Sequence, residues 1–323
     1  MKVVTPKQMA ALDQKTIETG IPSTDLMEKA GEKATAEIKA VIPPHGRVLV
    51  LSGLGNNGGD GQVIARLLRQ DQVDVSLLFP ASEQDCQARF SPDSRINFSR
   101  LRDIPVIYAP PGSSDLIRTA VGQADVIVDA LLGTGFDTTR PLREPMPELI
   151  QAVNDSKAIV IAVDIPSGLN GKSGQVGNQA IHADETIIIQ APKTGELLGD
   201  GPDCTGKPVI VDIGIHTDDP GIQTGLLEQE LTGFPAVRKK NSHKYSYGRV
   251  LVVAGSKGMT GAAALASAGA VQSGAGLVTA LVPEEIYQIE AVTMPREAMV
   301  KPYSDIILPE NLSELQKDVI LFG

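Results

Sequence analysis

The sequence predicts an α/β protein: a three-layer parallel-sheet domain with helices on both faces, followed by a second, shorter α/β unit. Three observations carry this. Apolar runs of strand length recur at residues 49–52, 73–79, 126–132, 158–165 and 185–189, with helical or loop segments between most of them, the βαβ rhythm of a doubly wound sheet. Hydrophobic residues fill 42% of the 323 positions, yet aromatics are only 3% and tryptophan is absent. The cores must therefore be built from Val, Ile, Leu and Ala, which suits a buried parallel sheet better than a β-sandwich. Near residue 240 a second strand enters a glycine-rich turn and then a helix of small residues.

In chain order, a first helix opens at Pro6 and shows Met9, Leu12 and Ile17 at helical spacing. A second runs from residue 24 through Leu26, Met27, Ala30, Ala34 and Ile38 until Pro43-Pro44 ends it. The strand at 49–52 feeds a glycine-rich loop, after which Val63, Ile64, Leu67 and Leu68 mark a helix. The later strands follow, with a short run at 209–213 closing the set. Residues 216–240 lose the pattern, so the expected division is a domain at 1–220, a linker at 221–240 and a second unit at 241–323. That unit begins Arg249-Val250-Leu251-Val252-Val253-Ala254-Gly255-Ser256-Lys257-Gly258 and continues into a helix of small residues at 262–270. Its roughly 85 residues are few for an independent α/β domain, and Val319-Ile320-Leu321-Phe322-Gly323 reads as a strand entering a functional loop, so the unit is expected to be truncated.

Composition narrows the function classes. A net charge of −10 argues against a nucleic-acid or anionic-membrane partner for the surface as a whole. The first residues lack the apolar segment of a signal peptide, and no apolar stretch approaches membrane-spanning length. Cys86 and Cys204 stand in no metal or redox spacing, consistent with two reduced thiols in a cytoplasmic protein. His45, His182, His216 and His243 show no zinc-ligand spacing, and no Ser-His-Asp arrangement is evident.

Four polar motifs fall at strand ends, where ligands bind in such sheets. Gly53-Leu54-Gly55-Asn56-Asn57-Gly58-Gly59-Asp60-Gly61 places glycines, which let backbone amides approach a ligand, ahead of a helix N-terminus, an anion site. It satisfies the dinucleotide fingerprint formally, and Asp74 lies at the right distance, but at the start of its strand rather than the end where a ribose-binding acid belongs. Asp129 sits inside the apolar run Val126-Ile127-Val128-Asp129-Ala130, where a charge must be paired or bound to a cation, and Gly133-Thr134-Gly135 follows it. Asp164 ends the next strand ahead of Pro166-Ser167-Gly168. Lys193, in Ala191-Pro192-Lys193, suits phosphate or developing negative charge. Asn57, Asp129 and Ser167 together offer an amide oxygen, one carboxylate and a hydroxyl, a donor set for a hard, monovalent cation.

Four segments, Gly55-Asn56-Asn57-Gly58-Gly59-Asp60-Gly61, Val128-Asp129-Ala130-Leu131-Leu132-Gly133-Thr134-Gly135, Val163-Asp164-Ile165-Pro166-Ser167-Gly168-Leu169-Asn170 and Ala191-Pro192-Lys193, resemble the NAD(P)H-hydrate epimerase domain, in the family's order. The motif Lys244-x-x-x-Gly248-x-Val250-Leu251-Val252-Val253-Ala254-Gly255-Ser256, with Ser273-Gly274-Ala275-Gly276-Leu277-Val278, looks like the opening of an ADP/ATP-dependent NAD(P)H-hydrate dehydratase domain. The resemblance implies a Rossmann-like parallel-sheet domain followed by a truncated ribokinase-like segment. It implies that Asn56, Asn57, Gly58, Gly59 and Asp60, then Gly133, Thr134, Gly135, Phe136, Asp137, Thr138 and Thr139, contact hydrated NADH or NADPH. Asp164 joins them, as does Ala262 of the second unit, while Asn57, Asp129 and Ser167 hold K⁺. The family's dehydratase continues past residue 323 into a glycine loop and a catalytic aspartate region, so ADP or ATP, with Mg²⁺, is expected to matter only for a complete second domain, and no dehydratase turnover is expected from this chain.

The expected reaction interconverts the R and S forms of a nicotinamide ring hydrated at C6, with Asp164 moving the proton and Lys193 as the reserve catalytic group. Two other readings stay open. A dinucleotide oxidoreductase would change NAD(P)H absorbance with a second substrate, and the placement of Asp74 counts against it. A non-catalytic binding module of the same fold would have no need of a buried acid. A homo-oligomer also stays open.

Overall fold

The computed structural model describes residues 1–226, 238, 240–304 and 317–323. They belong to two compact units, Met1–Leu227 and Glu228–Gly323.

The first unit is built on seven strands: β1 (Arg47–Ser52), β2 (Asp74–Phe79), β3 (Val106–Tyr108), β4 (Val126–Ala130), β5 (Ile159–Val163), β6 (Glu185–Ile189) and β7 (Lys207–Val211). They form one sheet in the order β3-β2-β1-β4-β5-β6-β7, every neighbouring pair parallel. Its helices are α1 (Pro6–Glu18), α2 (Ser23–Val41), α3 (Asn56–Gln70), α4 (Glu83–Arg89), α5 (Pro92–Arg100), α6 (Ser114–Gly122), α7 (Met146–Asn154) and α8 (Gly201–Thr205).

Strand alternation creates the three layers. Val48 and Val50 of β1, Val126, Val128 and Ala130 of β4, and Ile161 and Val163 of β5 bury against α2 and α3 through Ala34, Ile38, Ile64 and Leu68. Leu49, Leu51, Ile127, Val160 and Ala162 face the other way, onto Ile117 of α6 and Leu149, Ile150 and Val153 of α7. The strand runs read from the sequence recur at their expected places, but 131–132 and 164–165 leave the sheet to form loops. The short edge strand β3 was not anticipated, because three residues give no periodic signal.

The N-terminal segment fixes α1. Val4 donates to the Pro192 carbonyl at 2.9 Å and accepts from Thr194 N at 2.9 Å, in register with Lys193. Thr5 and Gln8 then close a capping box ahead of Pro6. Met9 and Leu12 of α1 pack with Leu26, Ala30, Ala191, Ile213 and Ile215. Ile222 joins that cluster at 2% exposure, so the chain from 221 to 226, expected to begin a linker, packs on the first unit. The rest of the expected linker falls largely outside the described residues.

The second unit carries β8 (Arg249–Val253), α9 (Gly261–Gln272), β9 (Leu277–Pro283), α10 (Tyr287–Thr293), β10 (Ala298–Tyr303) and β11 (Val319–Phe322), with a parallel sheet ordered β10-β9-β8-β11. Val252, Ala254, Val278, Ala280 and Val282 pack with Ala263, Ile286 and Met294. The terminal apolar run is an edge strand paired to β8.

Candidate active site

Strand order reverses between β1 and β4, and there the loops leaving the two strands diverge to opposite faces of the sheet, the crevice where parallel α/β sheets bind ligands. A cavity of about 1200 Å³ opens at that edge. Its lining comes from α1, α2, the loop after β1, the start of α3, the end of β2, α4 and α5, the 131–146 segment, the ends of β5 and β6, and Ile213.

Helix α3 begins at Asn56, earlier than the apolar pattern suggested, so Asn57, Gly58, Gly59, Asp60 and Gly61 are helical. Its N-cap is Gly55 and no side chain caps it, which leaves first-turn amides for a ligand. The glycines serve mainly a different purpose from the ligand cradle read from the sequence. A Cβ at Gly53 would overlap the Leu131 carbonyl and one at Gly58 the Gly53 carbonyl, while at Gly61 it would lie 2.7 Å from the Ala130 Cβ. These positions let α3 sit directly on the ends of β1 and β4. Only Gly55 of this loop faces open space.

Asn57, Asp129 and Ser167 come together around the backbone of Leu132. Asp129 is fully buried on β4 and accepts from Ser167 Oγ at 2.6 Å, Ser167 N at 2.8 Å and Leu131 N at 3.2 Å. Leu132 N donates to Ser167 Oγ at 2.9 Å, and Asn57 Nδ2 donates to the Leu132 carbonyl at 2.9 Å. The Asn57 Oδ1 is buried without any hydrogen-bond partner. Burial pushes the Asp129 carboxyl up to about 6 against the three hydrogen bonds that lower it. An orphaned amide oxygen beside a desolvated carboxylate and a hydroxyl with a spare lone pair fits a single monovalent cation. Among the described residues no cluster of three His, Cys, Asp or Glu forms a transition-metal site.

Asp164 and Lys193 form an ion pair at the carboxyl ends of β5 and β6. Lys193 is fully buried and also donates to the Ile189 carbonyl at 3.2 Å. Asp164 adopts a left-handed φ of +67°, sparsely populated for residues with a side chain, and its Oδ1 also accepts from Ile189 N at 3.3 Å. Behind the pair, buried Glu196 accepts from Lys193 N at 2.6 Å, and desolvation raises its carboxyl to about 8. Asp13, Asp60, Asp93, Asp137 and Glu144 also line the recess, and two of these carboxyls are strongly perturbed. Asp60 of α3 is pushed well up, first by desolvation and then by Asp164 and Asp13. Asp13 of α1 is raised to about 6 by burial and by Asp164, against the opposing pull of Lys193. Sequence reasoning missed Asp13, though a signal existed: it lies between Met9 and Ile17 on one helical face, an acid in an otherwise apolar stripe, and all three line the cavity.

Among the residues expected to contact substrate, Asn56, Asn57, Asp60, Gly133, Thr134, Gly135, Phe136, Asp137 and Asp164 line this recess. Gly58 and Gly59 lie just inside α3, the latter against Met27. Thr138 and Thr139 continue the loop without lining the cavity, and Asp137 folds back to accept from Thr139 N at 3.0 Å. Ala262 stands on α9 in the other unit. Asp74 is exposed at the N-terminal end of β2, while Pro80 and Ala81 occupy the cavity end, so no ribose-binding acid stands there. Arg89, Arg140 and Arg143 also line the recess, alongside Asp93, Asp137 and Glu144.

Comparison with known proteins places these features. The model of the family described as YjeF-related protein N-terminus matches residues 23–195, and that of NAD(P)H-hydrate dehydratase matches residues 250–323. The Bifunctional NAD(P)H-hydrate repair enzyme Nnr of Salinibacter ruber is 34% identical over 331 residues, covering 95% of this chain and 60% of that protein. Its namesake in Escherichia coli is 33% identical, covering 94% and 57%. The NAD(P)H-hydrate epimerase of Weissella koreensis is 37% identical over 215 residues, covering 66% of this chain and 92% of that one. The chain thus spans between half and two thirds of the bifunctional relatives it matches. The crystal structure of yeast ynu0 (YNL200c) shares the fold, with a TM-score of 0.53, 24% identity and coverage of 66% and 88%. With one family matched over more than half its length and a relative of that fold nearly spanned, the chain belongs to the YjeF-related protein family.

Proposed function

We propose that the first unit interconverts the R and S forms of hydrated NADH and NADPH. The observation that carries this reading is the placement of Asp164, ion-paired to the buried Lys193, in the same recess as the uncapped N-terminus of α3. The α3 amides suit the dinucleotide phosphates, and the carboxylate suits proton traffic at the C6 oxygen of the nicotinamide ring. The names of the bifunctional and epimerase relatives support the same substrate class. An ionised carboxylate near C6 also stabilises the iminium-like cation that forms when the oxygen departs.

The donor set of Asn57, Asp129 and Ser167 would hold K⁺, with Asn57 Oδ1 as the otherwise unpartnered ligand. Bound there, the ion supplies fixed positive charge that orders the loops after β1, β4 and β5. The likeness of residues 250–323 to the NAD(P)H-hydrate dehydratase family supports dehydration of the S hydrate with ADP or ATP and Mg²⁺ as the activity to which the second unit belongs. Two buried, unpaired thiols suit a reducing cytoplasm.

The test follows R/S hydrate equilibration by chromatography in buffer, with the protein, and with Asp164→Asn. The protein is expected to accelerate equilibration and the variant to lose about 10²–10⁴-fold. Equilibration no faster than in buffer overturns the proposal, and an Asp164→Asn rate equal to wild type removes the role of Asp164.

A further inference from the structure

We infer that Asp13 of α1 is a second catalytic carboxyl group of the epimerisation, working from the α1 wall of the recess while Asp164 works from the end of β5. The inference deepens the epimerase reading and rests on it. Inverting C6 needs one proton delivered to the departing oxygen and another taken from the arriving water on the other face of the ring. A single carboxylate fixed by Lys193 serves one of these tasks at a time. Asp164 Oδ1 is engaged by two donors, Lys193 Nζ and Ile189 N.

Asp13 has the complementary placement. It lines the same cavity, and Met9, Ala10 and Ile17 of its own helix surround it there with apolar surface. The charged groups that face it are Asp164 from β5, Lys193 from the loop after β6, and Asp60 from α3. Among the described side chains it has no hydrogen-bonded partner that would fix it in one protonation state. Its carboxyl is raised to about 6, within the range where a group both gives and takes protons at neutral pH. Two carboxyls in one site with different surroundings, one paired to a lysine and one without a hydrogen-bonded partner among the described residues, suit a division of acid and base work.

The step balances without a redox partner. The Asp13 carboxyl protonates the C6 hydroxyl, and the C6–O bond breaks with its electron pair leaving on water. The N1 lone pair forms the C6=N1 bond of an iminium cation. Water then adds to the opposite face, the π pair returns to N1, and Asp164 takes the proton from the new oxygen. In the reverse direction the two carboxyls exchange roles.

The experiment measures kcat and KM for hydrate epimerisation against pH in wild type, Asp13→Asn and Asp13→Glu, with melting temperatures recorded for each. Asp13→Asn is expected to lose about 100-fold or more in kcat with KM within about threefold, and to lose the limb of the pH profile near 6. Asp13→Glu is expected to recover part of kcat and to shift that limb. An Asp13→Asn kcat within about threefold of wild type overturns the inference, as does a slow variant that keeps the limb. Should Asp13→Asn not fold, a limb unmoved in Asp13→Glu overturns it. If wild type itself does not exceed the buffer rate, the epimerase reading falls and takes this inference with it. An active wild type beside an unaffected Asp13→Asn removes only the role of Asp13.

Discussion

At Asp164 the backbone turns left-handed where β5 ends, and this carries the carboxylate away from the strand axis and onto the Lys193 ammonium. Asn and Asp tolerate that conformation better than other residues with a Cβ, since their short polar side chains bond locally. Asp164→Asn therefore keeps the turn and removes the charge, whereas Asp164→Ala also places an unsuited residue at φ +67°. Urea unfolding is expected to show Asp164→Ala less stable than Asp164→Asn by about 1 kcal/mol; equal stabilities would mean that the turn costs nothing. The sequence made Asp164 and Lys193 legible as single residues at strand ends. Their pairing was not legible, because it depends on β5 and β6 lying side by side. Asp13 escaped for a related reason: an acid on a helix reads as solvated until the helix is known to lie across the cavity.

At the scale of elements, the loop after β1 shows how one sequence signal carries two physical meanings. Its glycines were read as room for a ligand, yet most of that room is filled by the protein, which brings α3 against β1 and β4. Packing also overrides the poor helix propensity of Gly58, Gly59 and Gly61 and starts the helix at Asn56. Gly61→Ala would bring its new methyl against Ala130 and Val50 and is expected to cost about 1–3 kcal/mol, measured by denaturant titration. A neutral result would mean that α3 can slide on the sheet. The same closeness sets Asn57 beside Gly133, whose Cβ position lies 3.2 Å from the Asn57 Cβ, and thereby joins the loop after β1 to the loop after β4. A cation held by Asn57, Asp129 and Ser167 would tie both to the loop after β5. Wild type is then expected to melt at higher temperature in K⁺ than in Li⁺, by an increment that Asp129→Asn abolishes; saturation at 100 times Kd is worth about 2.7 kcal/mol. Identical melting in the two salts would remove K⁺ from the site.

Across the first unit, the buried and half-buried carboxyls bias stability in one direction. Asp13 and Asp129 are raised to about 6 and Glu196 to about 8, in each case chiefly by desolvation. A folded-state value above the ordinary one means that the folded chain binds more protons than the unfolded chain between the two values. The associated stability is complete below about pH 4 and is lost as pH rises, through about 6 for Asp13 and Asp129 and through about 8 for Glu196. Glu196 is the cleanest place to read this. It is 1% exposed, its Oε2 accepts from Lys193 N, and its Oε1 has no partner, so nothing but the neighbouring lysine offsets the burial of its charge. Composition alone hides such a site, since a net charge of −10 describes the surface and one buried glutamate in a Lys-Thr-Gly-Glu turn looks like any exposed one. Glu196→Gln keeps an acceptor for Lys193 N and removes the titration. Urea unfolding of wild type at pH 6, 7 and 8 is expected to show a stability decline that Glu196→Gln lacks, part of about 5 kcal/mol over the full window from the unfolded to the folded value. Parallel profiles for the two proteins would mean that Glu196 is ionised throughout and that Lys193 holds its charge in place.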